Sequence, residues 1–116
     1  MVMTINTPVQ SESSSSNALT LSVQTIVLPE GSPVPGSGNL KLGCSLIVQV
    51  EITGDGFVIQ SGDIDEEAYG SSFDEAYIDF LTSLRDRLES LNRREESLSS
   101  RDKAVLQRLR LILQSN

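Results

Sequence analysis

The sequence predicts an α+β fold: a small antiparallel sheet of three to four strands packed against a long C-terminal helix, with a second, shorter helix after it. Three observations carry this. Residues 40–53 alternate apolar and polar side chains with period two. Ser72 opens a segment whose apolar residues step by three and four. Every strand-like segment precedes the helical ones, an order that places helices on one face of an antiparallel sheet. With 116 residues the chain has room for one domain and one modest core. A hydrophobic fraction of 38% and only 4% aromatics make that core mostly aliphatic.

Residues 1–17 hold Ser11, Ser13, Ser14, Ser15 and Ser16 with few apolar groups. Such a segment buries too little surface to offset the entropy of ordering it, so a disordered Ser-rich tail is expected there and a single domain over 18–116. Residues 19–28 read as a strand in which Leu19, Leu21 and Val23 alternate with Thr20, Ser22 and Gln24. The alternation slips at Ile26-Val27-Leu28, where a bulge or burial on both sides is expected. Residues 29–39 hold three prolines and three glycines and read as a flexible surface loop.

The clearest strand is 40–53. Leu40, Leu42, Cys44, Leu46, Val48, Val50 and Ile52 occupy every even position, and Ile47 is the one apolar residue at an odd one. One face is therefore buried and the other wet, and Cys44 reads as a small core residue. Thr53-Gly54-Asp55-Gly56 follows as a tight turn, its Asp-Gly pair suited to positive φ. Phe57 to Gln60 returns as a strand, Ser61-Gly62-Asp63 breaks it, and Ile64 to Tyr69 adds a short, charged edge strand.

Ser72 and Glu75 have the spacing of a capping box, and Asp74 and Glu75 suit the positive end of a helix dipole. A helix is predicted from about 73 to 95, with Phe73, Tyr77, Phe80, Leu81, Leu84, Leu88 and Leu91 as its stripe. A second helix begins near Ser99 or Ser100, with Val105, Leu106, Leu109, Ile112 and Leu113 on its apolar face and Gln114-Ser115-Asn116 as its end.

Composition removes several functions. Net charge is −7 and the isoelectric point about 4.4, which argues against a nucleic-acid coat, since phosphate contacts come mainly from Lys and Arg. The absence of His removes the commonest general base and metal ligand. No nucleophile is backed by a recognisable base, so no enzyme, cofactor or metal is expected. No apolar run reaches the length of a membrane helix. The single Cys cannot form an internal disulfide, which fits a reducing, cytoplasmic compartment. Charge is also segregated: residues 1–60 carry −3, 61–79 carry −7 and 80–116 carry +3. The acids Asp63, Asp65, Glu66 and Glu67 form one loop. It fails the calcium-loop pattern, because Ala68 stands where the sixth-place glycine is needed, and reads either as a solvated acidic edge or as a protein-binding surface for a basic partner.

Residues 44 to about 91 resemble the HicB-like antitoxin domain. The resemblance rests on the strand Leu46 to Ile52, on Gly54-Asp55-Gly56-Phe57-Val58-Ile59, and on Tyr69-Gly70-Ser71-Ser72-Phe73-Asp74-Glu75-Ala76 leading into Phe80, Leu81 and Leu84. It implies a partial ribonuclease-H-like fold, a three-stranded sheet with one or two helices, and a non-catalytic protein that sequesters a small basic RNA-cleaving toxin. This chain departs from the family in shortening the loop after the second strand to Ser61-Gly62-Asp63, and in having one helix in place of a DNA-binding tail.

Two functions follow as expectations. In the first, a cytoplasmic, non-enzymatic domain captures a basic protein through Asp63, Asp65, Glu66 and Glu67. In the second, copies associate through the helix stripe Tyr77, Leu81, Leu84, Leu88 and Leu91, unless the last helix folds back and buries it. Nucleic-acid binding by the basic C-terminal segment is the weakest reading at this net charge.

Overall fold

The computed structural model describes residues 20–36, 38–62 and 64–115. The Ser-rich segment 1–17 and Asp63 lie outside these residues. The element order is β1 (Thr20–Leu28), β2 (Leu40–Leu42), β3 (Leu46–Thr53), β4 (Phe57–Ser61), β5 (Glu66–Gly70), α1 (Phe73–Arg93), a 3-10 turn (Glu95–Ser97), α2 (Ser100–Ile112) and β6 (Leu113–Ser115). The fold is α+β. Strands β1, β3, β4 and β5 form a four-stranded antiparallel sheet in the order β1-β3-β4-β5, and β2 pairs with β6 in a second, two-stranded sheet. The 21-residue helix α1 packs on β5 and β4, and the shorter α2 packs on α1.

The register explains which residues enter the core. Leu28 lies opposite Leu46, Ile26 opposite Val48, Val50 opposite Ile59, and Ile59 opposite Ala68. These residues face the helices, and all but the half-buried Ile26 are buried. Phe80, Leu81 and Leu84 of α1 belong to the same buried cluster, as do Leu106, Leu109 and Ile112 of α2. No helix among the described residues is long and apolar enough to cross a membrane.

The structure corrects the sequence reading in five places. The strand expected over 40–53 is two strands in different sheets. The break falls at 43–45, where the Gly43 N–H donates to the Ile112 carbonyl at 2.7 Å and the chain turns away to pair with β6. Cys44, at this break, is half-buried. Second, Leu113–Ser115 continues past α2 as β6, a strand the sequence reading took for a helix end. Third, the apolar residues Leu21 and Val23 of β1 face away from the core, and its bulge lies between Thr20 and Ser22. The slip at Ile26-Val27-Leu28 reflects ordinary alternation in which Val27 is the exposed member.

Fourth, residues 29–36 are anchored. Val34 is buried, Gly31 N–H donates to Leu42 O at 2.7 Å, and Arg85 Nη1 on α1 donates to Pro35 O at 3.2 Å. Fifth, the turn after β3 is held by Thr53, whose hydroxyl accepts from the N–H groups of Asp55 and Gly56, each at 3.1 Å. Of the Asp-Gly pair only Gly56 has positive φ, at 157°, and a Cβ there would also collide with the Gly70 carbonyl.

Candidate protein-binding surface

The α1 start brings the acidic segment to its place. Ser72 is the N-cap and accepts from the Glu75 N–H at 3.1 Å. Glu75 reaches back one residue further than the capping box predicts: its carboxylate accepts from the Ser71 hydroxyl at 2.6 Å and the Ser71 N–H at 3.0 Å. These bonds, the hydroxyl first, hold its carboxyl below the ordinary value of 4.5.

The acidic loop does not form one carboxylate cluster. Glu66 points inward, where Arg87 of α1 pairs with it at 3.0 Å. The same Arg87 Nη1 donates to the carbonyls of Ile64 at 3.1 Å and Asp65 at 3.4 Å, and Ile64 is buried beneath. Glu66 is thus a structural partner of the helix. Asp65 is exposed, at φ 55°. Glu67 alternates to the opposite side of the sheet, where Gln60 Nε2 donates to it at 2.8 Å. Of the four residues expected to meet a partner, Asp65 and Glu67 are available, Glu66 is engaged, and Asp63 lies outside the described residues.

The side of the sheet away from the helices is open, and its residues fall in rows. Val23, Glu51, Val58 and Tyr69 lie opposite one another across all four strands. Thr25, Gln49, Gln60 and Glu67 form the next row, and Val27 opposite Ile47 begins a third. Val23 (56%), Val27 (57%), Ile47 (64%) and Tyr69 (54%) are large apolar side chains left in water. The face is fixed at its margins: the Tyr69 hydroxyl donates to Asp55 O at 2.9 Å, and Thr20 donates to Glu51. No Lys or Arg occurs in any of the four strands, whereas Glu51, Glu66 and Glu67 do. Sequence reasoning passed over this surface, although Ile47 had marked it as the sole apolar break in the alternation.

The helix stripe lies elsewhere. Leu81, Leu84, Leu88 and Leu91 are buried within one chain, with α2 folded back on α1. This corrects the expectation that they meet a second copy. Tyr77 is half-buried and stacks on Phe73, with ring centroids 5.9 Å apart. At the helix junction Arg110 bonds to Glu95 at 2.9 Å and to Asn92 at 2.6 Å. No family model matches this chain, and neither a curated protein nor a solved structure does.

Proposed function

We propose that this chain is a non-enzymatic protein-binding domain acting in the cytoplasm, and that it binds through the open face of its four-stranded sheet. One observation supports this above the others: Val23, Val27, Ile47 and Tyr69 stand exposed together among Glu51 and Glu67, with no basic residue in the sheet. Several large apolar side chains gathered on one open sheet face, with polar rows between them, support an interaction surface. The apolar area supplies affinity, while the carboxylates set the partner's sign and raise the encounter rate. The partner is therefore a protein with a basic, shallow surface. In the finer form implied by the HicB-like resemblance over residues 44–91, it is a small basic RNA-cleaving toxin held inactive by sequestration.

The test is capture from native lysate by the full chain, at low and high salt, alongside two variants of the face. A small basic protein released by salt is expected with the wild type. Glu51→Lys/Glu67→Lys should abolish its capture and Ile47→Ser should weaken it, while Glu95→Gln at the helix junction should leave it unchanged. Capture indifferent to the face substitutions would sink the reading.

A further inference from the structure

The two edges of the four-stranded sheet differ in kind. β5, at one edge, has five residues, carries Glu66 and Glu67 and packs against α1. β1, at the other, has nine, and no charged residue or proline occurs among them. Edge strands are ordinarily protected by such residues, because a free row of N–H and C=O groups recruits another strand.

Register shows which groups are free. Thr53 N–H donates to Gly56 O, so 53/56 is a hydrogen-bonded pair of the β3-β4 ladder. Narrow and wide pairs alternate, so Glu51 and Gln49 also turn their backbone groups to β4. Val48, Val50 and Ile52 then turn theirs to β1, where they lie opposite Ile26, Gln24 and Ser22. The N–H and C=O groups of Val23, Thr25 and Val27 are left pointing to the open edge, and β1 pairs only with β3 among the described residues.

We propose that a second copy of this chain occupies that edge, the two β1 strands pairing antiparallel about a two-fold axis at Gln24. The proposal is independent of what the open face binds. Charge permits this occupant at β1: copies at −7 repel over most of their surface, whereas β1 brings no carboxylate against another. A basic partner would find no acid on the strand to recognise. The register follows from the residues. Centring on Gln24 sets Val23 opposite the partner's Thr25 and Val27 opposite the partner's Leu21, cross-strand pairs of apolar and β-branched residues that favour a sheet. Centring on Thr25 would set Leu21 opposite the partner's Pro29, which has no N–H to donate. Paired residues share a face, so the two open faces merge into one across eight strands, with all helices behind. One strand pair is a small interface, so dimerisation is expected to depend on concentration.

Sedimentation velocity of the full chain over a broad dilution series, with amide exchange measured alongside, tests this. A dimer is expected to form as concentration rises, and the amides of Val23, Thr25 and Val27 to slow with it. Thr25→Pro removes an N–H that serves no bond among the described residues, and should weaken association at least about tenfold. Thr25→Lys should act the same way by charge, should the proline variant fail to fold. In a Cys44→Ser background, Gln24→Cys should crosslink across the axis faster than an exposed Gln107→Cys control. A monomer at every concentration overturns the proposal. So does a dimer indifferent to both Thr25 variants. A monomer with slow exchange at those three amides would show the edge covered from within the chain, and would overturn it as well.

Discussion

Arg87, in the second half of α1, lies 3.0 Å from the Glu66 carboxylate and 3.1 Å from the Ile64 carbonyl, so one guanidinium pins the loop before β5 to the helix. The ion pair is partly shielded, with Glu66 16% and Arg87 33% exposed. Arg87→Met is expected to cost about 1–3 kcal/mol, because it leaves a half-buried carboxylate and a carbonyl without their donor. Glu66→Gln should cost less, and Glu67→Lys on the open face about 0.5 kcal/mol or less. Urea denaturation of the three variants checks the order. Equal losses for Glu66 and Glu67 would contradict the division of the acidic loop described above.

Ser61 ends β4 inside the core. Its hydroxyl is buried and has no hydrogen-bond partner among the described residues. A buried, unsatisfied polar group costs stability. Ser61→Ala is therefore expected to be neutral or to stabilise by up to about 1 kcal/mol, read as an unchanged or raised melting temperature.

Gly70 joins β5 to the start of α1 and packs against backbone. A Cβ there would stand 2.7 Å from the Glu75 carbonyl carbon and would also collide with the Ala76 nitrogen. Backbone of the first helical turn cannot swing aside as a side-chain tip can. Gly70→Ala is expected to destabilise by at least about 1–3 kcal/mol, whereas Gly62→Ala, with open space around it, should change little. Thermal melts of the pair check this.

The last helix is part of the core. Leu106, Leu109, Ile112 and Leu113 are buried, and β6 completes the small sheet with β2. Leu109→Ala should cost about 2–5 kcal/mol. Truncation after Arg94 is expected to unfold the chain, seen as loss of cooperative melting and of amide protection in β2 and β3.

Acid should weaken the helix junction. Glu95 accepts a hydrogen bond from Arg110 and feels its charge and that of Lys103, which hold its carboxyl below the ordinary value of 4.5. The unfolded chain then takes up this proton first, so the contribution is present above about pH 4.5 and is lost as pH falls through the lower folded value. Glu95→Gln should lower the melting temperature slightly at neutral pH and converge with the wild type in acid, which flattens that part of the decline.

The fold class was legible because its signals are local. Ser72 and Ser99 cap the two helices they precede. The even positions from Leu46 to Val50 are buried as alternation requires. Helical spacing on α1 likewise put Leu81, Leu84, Leu88 and Leu91 on one stripe. What covers that stripe was not legible, since alternation and helical periodicity state that a face is apolar and not what lies upon it. Only the tertiary structure folded α2 back over it, turned Glu66 inward to Arg87 and Glu67 outward to Gln60. Only pairing partners decided that Gly43 breaks the 40–53 run and that Leu21 and Val23 face water. Apart from β6 and the break at 43–45, the sequence by itself determined which segments are helix and strand, through capping and periodicity acting over a few residues. What lies upon each apolar face depended on contacts between residues far apart in the chain, and those exist only once the sheet and helices have assembled.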